Sequence, residues 1–255
     1  MIDWAELTLF LYITARMSGF VLMNPLLGRT VGVPSLFRSG LVLVLSVFVF
    51  GVTGQSVAAP ASMIEFAIRM LLEIAMGFFL SMVMNFFFYI PQLAGLAIDT
   101  QMGMTMNQIY DAGSQASMSV TGSLLNVLMM LLFFAENGHH TLMRILLTSG
   151  DIVAFGAVAI GNEVLDAMLA LFIECTVLAV KLSMPILAAE LLGQLGMGIL
   201  MKVIPQINVF VINIDLKVII GLVLLFALIA PISEFLLAAE VTMLNSIRDI
   251  LSLLG

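Results

Sequence analysis

Long apolar runs separated by short polar or Gly/Pro-rich breaks make up almost the whole chain, and each run predicts a helix. Several runs approach or exceed the roughly 20 residues that a helix needs to cross a bilayer. The predicted helical runs are Leu7–Leu27, Leu41–Val52, Met63–Tyr89, Val120–Ala135, Leu142–Ile160, Val164–Leu192 and Val218–Ala230. The last segment, Ile232–Leu254, places its polar residues on one side at three-to-four spacing, which predicts an amphipathic helix. The pattern therefore predicts an all-α fold of helical hairpins.

Two stretches interrupt the apolar background with Gly, Gln and Met. One is the central segment Ala94–Gly122, and the other is Glu190–Lys217, which holds Gly193, Gly196 and Gly198. Pro91 is expected to break or kink the chain just before the central segment, because proline removes a helical hydrogen bond. The shared composition suggests two re-entrant or hairpin-tip segments, so the helices are expected to be broken.

The central segment is polar but carries only two charges, Asp99 and Asp111. Irregular backbone at membrane depth survives only where protein buries it or where it lines a watery cavity. Met side chains are flexible and can pack against many shapes, and Gly allows the backbone more conformations. The side-chain amides of Asn and Gln can form hydrogen bonds without carrying a charge. We therefore predict a plug of a conduit within Met102–Ser119; the alternative is an ordinary loop between two membrane helices. The predicted plug residues are Met102, Gly103, Met104, Met106, Asn107, Gln108, Asp111, Gly113, Gln115 and Met118.

Composition places the 255-residue chain among membrane-embedded proteins. Hydrophobic residues make up 62% of it and charged residues only 10%, whereas soluble domains carry about 25% charged residues. The net charge of −7 gives no basic surface for nucleic acid. Cys175 is the only cysteine, so no intrachain disulfide can form, and its apolar surroundings predict a packed, inert thiol.

Six of the charged residues inside the apolar runs are singled out, because exposing each to lipid would cost a few kcal/mol. They are Arg16, Arg69, Glu73, Glu174, Lys181 and Glu190. They are therefore expected to face protein or water. Three interpretations stay open: pairs within the chain (Arg69 with Glu73, Lys181 with Glu174), contacts with other subunits, or a proton or ion relay.

Enzymatic motifs are absent from the sequence, and no catalytic residue, cofactor or metal site is predicted. It has no H-E-x-x-H, no G-x-S-x-G and no phosphate-binding loop. His139 and His140 are adjacent, so on a helix they point about 100° apart and make poor co-ligands. A helix-end turn at Asn137–His140 is the simpler interpretation. A small-molecule secondary transporter that uses Glu174, Lys181 and Glu190 as a coupling site is kept as a less favoured alternative.

Four motifs in the right order resemble the FliR family of flagellar biosynthetic proteins. They are AGLAIDTQMG at Ala94–Gly103, NGHH at Asn137–His140, PQINVFVIN at Pro205–Asn213 and the early pattern Arg16…Pro25…Pro34…Arg38. The resemblance covers essentially the whole chain. It implies a core component of the type III secretion export gate in the inner membrane, at the flagellar basal body, with a lumenal plug in the central segment.

The resemblance also implies the partners and the internal organisation. FliR-like proteins assemble with FliP-like, FliQ-like and FlhB-like proteins and conduct unfolded flagellar proteins outward. Residues 1–135 would then be a FliP-like half and residues 136–255 a FliQ-like half of a single export-gate domain. Much of the helical surface would be buried against partners and raised out of the bilayer. Injectisome systems use a close relative, so an injectisome export-gate subunit is the alternative.

Overall fold

The fold is all-α, as the apolar pattern predicts. The structure, a computed structural model, describes residues 4–27, 34–57, 60–104, 119–203 and 209–255, and no strand occurs in these ranges. The helices are α1 Trp4–Met23, α2 Ser35–Val52, α3 Met63–Met102, α4 Val120–Ala135, α5 Gly138–Leu147, α6 Ser149–Ile152, α7 Asn162–Val203, α8 Val209–Ala227 and α9 Ile229–Leu253.

The chain divides into two compact units, and each is assembled from separated parts of the sequence. Unit 1 comprises the described residues of Met1–Phe87, Phe133–Phe172 and Glu240–Gly255. Unit 2 comprises those of Phe88–Leu132 and Ile173–Ala239. The predicted division into a FliP-like and a FliQ-like half is a statement about family likeness, and it stays a prediction.

Membrane-spanning length is present in three helices among the described residues. α1, α2 and α3 are long and apolar enough to cross, and two bent pairs raise the number to five if each pair is one span. The pairs are α4 with α5, bent by 68°, and Leu216–Ala227 with α9, bent by 62°. α3 has 40 residues and is therefore about 60 Å long, whereas the hydrocarbon core is about 30 Å thick. A helix of that length extends well beyond one perpendicular crossing.

Unit 1 is built around α1, which packs against both α2 and α3. Phe10 of α1 meets Phe50 of α2 edge to face, with 5.8 Å between ring centroids. α1 and α3 touch backbone to backbone: a Cβ on Gly77 would collide with the carbonyl oxygen of Arg16. The close crossing buries the middle of α1 and with it the Arg16 side chain.

Breaks are absent at two places where the sequence allowed them, because helix continues through both. Pro91 lies inside α3, and Gly193–Gly198 lie inside α7. Around Pro91 the apolar side chains Phe87, Ile90 and Ala94 are all buried, so their packing offsets the lost hydrogen bond. In α7, each Gly costs only about 1 kcal/mol relative to Ala, which packing of a long helix readily exceeds.

One predicted helix is too long. The run Leu142–Ile160 forms α5 and α6 and then leaves helical geometry at Val153, whose backbone is extended (φ −124°, ψ 105°). Residues distant in the sequence hold the extended stretch in place. The carbonyl of Val153 accepts a hydrogen bond from Arg16 at 3.1 Å, and the amide of Ala159 donates one to the carbonyl of Leu254 at 3.1 Å. Long-range polar contacts therefore replace helix here.

The amphipathic character predicted for the C-terminal helix is confirmed. Along α9 the buried residues recur every three or four positions, among them Leu236, Met243 and Ile247. The polar residues predicted to share the other side are exposed: Glu234, Asn245, Arg248, Asp249 and Ser252.

Candidate functional site

The last turns of α3, which lead into the predicted plug, are buried in unit 2. Ile98, Asp99 and Met102 have at most 1% of their surface exposed. Met102 lies four residues after Ile98 and three after Asp99, so all three lie on the same side of the helix. The central segment accordingly begins not at Ala94 but after Met102, where α3 ends.

α3 and α4 touch backbone to backbone at a pair of glycines on either side of the central segment. A Cβ on Gly95 would collide with the amide nitrogen and Cα of Gly122 and would lie 2.7 Å from the carbonyl carbon of Thr121. Contact this close requires the absence of a side chain at position 95. The two helices that flank the central segment are thereby held together about two turns before α3 ends and in the first turn of α4.

Two side chains cap the start of α4 at the same point. Ser119 Oγ accepts a hydrogen bond from the amide of Gly122 at 2.7 Å, which is the usual role of a serine at a helix N-cap. Asp99 Oδ2 accepts one from the amide of Thr121 at 3.2 Å. A carboxylate at a helix N-terminus also interacts favourably with the helix dipole, which offsets part of the cost of burying Asp99. We call Gly95, Asp99, Ser119, Thr121 and Gly122 the neck.

Three predicted plug residues lie among the described residues. Met102 is fully buried, and its side chain fills the space beside Gly221 of α8, where a Cβ would meet its Cγ and Sδ at 2.8 Å. Gly103 follows with φ +79°, a conformation that L side chains rarely adopt, and Met104 comes next. Met106, Asn107, Gln108, Asp111, Gly113, Gln115 and Met118 lie outside the described residues.

Arg16 and Glu73 form a buried ion pair in unit 1, and neither side chain has any exposed surface. Arg16 Nε donates to Glu73 Oε2 at 2.6 Å, and Nη2 donates to Oε1 at 3.1 Å. The guanidinium also donates to Ser149 Oγ at 3.2 Å and lies 4.2 Å from the centroid of the Phe155 ring. Glu73 Oε1 accepts in addition from the amide of Gly156 at 2.7 Å. The pair joins α1, α3, α6 and the extended stretch after α6 into one polar centre.

The pairing of Arg69 with Glu73 within α3, one of the open alternatives, does not occur. Arg69 pairs instead with Glu65 one turn earlier, at 2.6 Å, and both side chains are about one-third exposed. Glu73 turns the other way, toward Arg16, because that partner is buried with it. An exposed i,i+4 ion pair contributes only about 0.3–0.5 kcal/mol to the free energy of unfolding, so this pair stabilises the fold little.

The charges of α7 have different surroundings. Glu174 and Lys181 are exposed, and the two ion pairs found in the described part of the chain involve neither of them. Glu190 is 1% exposed, and no described residue donates to its Oε1. Burial raises the pKa of the Glu190 carboxyl, and the nearby Lys217 charge lowers this pKa by a smaller amount. Cys175 is buried as predicted, and burial raises the pKa of its thiol to about 12, which keeps it in the unreactive thiol form.

The NGHH motif lies at a helix end, as the sequence predicts: Asn137 belongs to the turn after α4, and Gly138, His139 and His140 begin α5. Asn137 has φ 58° and precedes α5 directly. The ring centroids of His139 and Phe134 lie 5.2 Å apart, so the imidazole of His139 packs against the ring of Phe134. Among the described residues, no group of three His, Cys, Asp or Glu side chains is arranged to hold a metal.

Sequence reasoning missed two sets of residues. The neck was hidden because its halves are 22 residues apart in the chain, although Gly95 and Gly122 were visible as glycines at the segment's ends. The partners of Arg16 were missed because they lie 57 to 137 residues away. No local spacing links residues so far apart.

Comparison with known proteins identifies the family. The model of the family "Bacterial export proteins, family 1" matches residues 7–240. The flagellar biosynthetic protein FliR of Bacillus subtilis (strain 168) is 26% identical over 256 residues, covering 96% of this chain and 95% of the relative. FliR of Escherichia coli (strain K12) is 32% identical over 192 residues, covering 72% and 69%.

Injectisome proteins are similar too. The Yop proteins translocation protein T of Yersinia pestis is 25% identical over 213 residues, covering 83% of this chain and 81% of the relative. The resemblance to the FliR family seen in the four motifs is confirmed. Since the family model extends over nearly the whole sequence, the chain belongs to the bacterial export proteins, family 1.

Proposed function

We propose that this chain, a membrane-embedded component of type III secretion export by its family, is a core subunit of the export gate. It forms part of the conduit that carries unfolded flagellar proteins across the inner membrane, at the flagellar basal body. The segment Met102–Ser119 is the plug that closes the conduit at rest and is displaced by a passing chain. The chain acts as a conduit and not as an enzyme.

The observation that carries the proposal is the neck. Gly95 against Gly122 and Asp99 against Thr121 hold α3 and α4 together on either side of the central segment, so the neck supplies a fixed stem for the proposed plug. The sequence of that plug contains Met, Gly, Gln and Asn side chains and the single charge of Asp111. A seal needs this combination, since its base must stay in place while its surface adapts to varied shapes.

The described surface supports assembly with other subunits. α7 exposes large apolar side chains, including Leu169, Phe172 and Val180, beside the charged Glu174 and Lys181. Lipid favours the first group and penalises the second, whereas a protein partner accommodates both. We propose FliP-like, FliQ-like and FlhB-like proteins as the partners, with the exposed charges of α7 at subunit contacts.

Deleting Asn107–Ser117 while keeping the neck tests the plug. Assembly with co-expressed FliP- and FliQ-like proteins should be retained, because the neck contacts lie outside the deletion. The membrane should become leaky to small ions, measured as conductance of the reconstituted complex or as growth under salt stress. An assembled deletion variant as tight as the parent would refute the plug.

An injectisome export-gate subunit is the second candidate, favoured by the similarity to the Yersinia protein over most of the chain. A deletion strain separates the two: loss of motility and of filament-protein secretion supports the flagellar pathway. A secondary transporter is poorly supported, because Glu174 and Lys181 are exposed whereas Glu190 is buried. Such a transporter would lose solute uptake on deletion and keep motility.

A further inference from the structure

A cavity of about 510 Å³ lies between α1 and α2 in unit 1. The two helices run antiparallel: Phe10 near the start of α1 meets Phe50 near the end of α2, and the cavity is at the other end of the pair. Its lining includes a cation, three hydroxyls and two exposed leucines, namely Arg38, Ser18, Ser35, Ser39, Leu22 and Leu43. We call it the hairpin cavity. Walls that are partly polar and partly apolar fit an amphipathic ligand.

Arg38 is a cation without an acceptor in the hairpin cavity. Its Nε is buried, and no described residue accepts a hydrogen bond from it. The two ion pairs found among the described residues do not include Arg38 either. A buried donor that lacks an acceptor is costly, and a hydrogen bond to an anion is about twice as strong as a neutral one. An anion in the cavity would therefore stabilise this guanidinium best.

The cavity is at the level where lipid phosphates lie. α2 is long and apolar enough to cross a membrane, and Arg38 is in its first turn. The 18 residues of α2 give a length of about 27 Å, close to the hydrocarbon thickness of about 30 Å. When α2 spans the membrane, its first turn is at the boundary with the head groups. Leu43 then lies about 7.5 Å deeper, among the acyl chains.

We propose that the hairpin cavity binds an anionic phospholipid. The lipid phosphate accepts hydrogen bonds from Arg38 and from the hydroxyl of Ser35, and one acyl chain packs against Leu22 and Leu43. Ser18 and Ser39 already donate to carbonyls of their own helices, so their oxygen lone pairs accept from a head-group hydroxyl. The site belongs to α1 and α2 and does not depend on conduction by the gate.

Photolabelling of the assembled complex tests the site. The complex, purified with its co-expressed partners, is placed in phosphatidylcholine nanodiscs that contain a trace of lipid with a diazirine in one acyl chain. Adducts at Leu22 and Leu43 are counted relative to those at Val44, which is exposed on α2 outside the cavity lining. This ratio should be about fivefold higher for a phosphatidylglycerol probe than for a phosphatidylcholine probe, the factor that one basic side chain contributes at an anionic surface. Equal ratios for the two probes would overturn the inference.

Two arginine variants test the role of the charge. Arg38→Gln should abolish the excess for phosphatidylglycerol. The matched control is Arg69→Gln, which removes the same charge from an arginine that pairs with Glu65 and does not line the cavity, and it should keep the excess. If Arg38→Gln fails to assemble, Ser39→Phe decides the question, because it fills the cavity and leaves Arg38 in place. An excess that persists in Arg38→Gln or in Ser39→Phe would refute the site.

Two further arms identify the source of the anion. Inorganic phosphate, compared with chloride at matched ionic strength, should leave the excess unchanged. Loss of the excess in phosphate would mean that the cavity holds a free anion and would overturn the lipid. A diacylglycerol probe, which has acyl chains but no phosphate, should show no excess. The same excess with diacylglycerol would mean that the cavity selects acyl chains without Arg38, and it would overturn the inference as well.

Discussion

Replacing Glu73 by Leu should destabilise the protein more than any single change at an exposed charge. Glu73 supplies both charged contacts of the buried Arg16 guanidinium and the acceptor for the amide of Gly156. Its removal leaves a positive charge in the core with only Ser149 Oγ, the carbonyl of Val153 and the face of Phe155 around it. Removing one partner of a buried ion pair costs about 3–5 kcal/mol. That cost lowers the folding equilibrium by roughly two to four orders of magnitude.

The matched control lies two turns earlier in the same helix. Glu65 pairs with Arg69 at the same 2.6 Å distance, but both side chains are partly exposed, so Glu65→Leu should cost at most about 1 kcal/mol. The two substitutions are chemically identical, and each removes the carboxylate of an ion pair, one buried and one partly exposed. The comparison therefore measures how much more the buried carboxylate contributes, together with its bond to the amide of Gly156.

The assay is the yield and the thermal midpoint of the complex purified with its co-expressed partners. Arg16→Met completes a cycle with Glu73→Leu. The double variant should be no less stable than the weaker single variant, because it leaves no unpaired charge. It should not reach the parent, because Ser149 Oγ and the amide of Gly156 lose a partner, at about 1–3 kcal/mol for each buried group left unsatisfied. Equal midpoints for Glu73→Leu and Glu65→Leu, or additive effects of the two single changes at Arg16 and Glu73, would refute the reasoning.

Three further changes have defined outcomes. Gly95→Val should abolish assembly, because its side chain collides with the backbone at Gly122, whereas Gly198→Val on α7 should assemble at near-parental yield, since its Cβ position is open. Asn137→Val should lower the thermal midpoint by the equivalent of about 1–2 kcal/mol, because Val is strained at φ 58°, and Asn137→Gly should not. Because the pKa of Glu190 is raised in the folded chain, stability should fall as pH rises from the ordinary carboxyl pKa of about 4.3 through the raised value. Glu190→Gln should flatten a scan of thermal midpoint that starts below that ordinary value.

The sequence predicts the class of fold and several helix boundaries because these depend on local pattern. α4 has the predicted bounds, Val120–Ala135, and α2 ends at the predicted Val52. Local pattern is also where the errors arise. Pro91 and the glycines from 193 to 198 are genuine local penalties, but their cost is smaller than the packing energy of helices of 40 and 42 residues.

For the candidate site, the sequence predicts which residues need partners but not which partners they find. A charge exposed to lipid is costly in free energy, and this correctly predicted that Arg16 and Glu73 need partners. Which partner each takes depends on how α1 crosses α3, and spacing along one helix suggested Arg69 instead. The neck could not be predicted for the same reason. Asp99 was visible in the sequence as a rare charge, but its hydrogen bond from the amide of Thr121 depends on the close approach of Gly95 to Gly122. Such contacts arise from tertiary structure, and the periodic pattern of the sequence does not predict them.

Cross-linking to a chain arrested in transit tests the central claim most directly. An export substrate fused to a stably folded domain would halt within the gate, and a photoreactive amino acid at Met104 would report its passage. Met104 lies two residues beyond the end of α3 at Met102. The control position is Val44, exposed on the candidate membrane span α2. The account predicts a substrate adduct at Met104 and none at Val44. An arrested substrate that gives no adduct at Met104, or equal adducts at both positions, would contradict it.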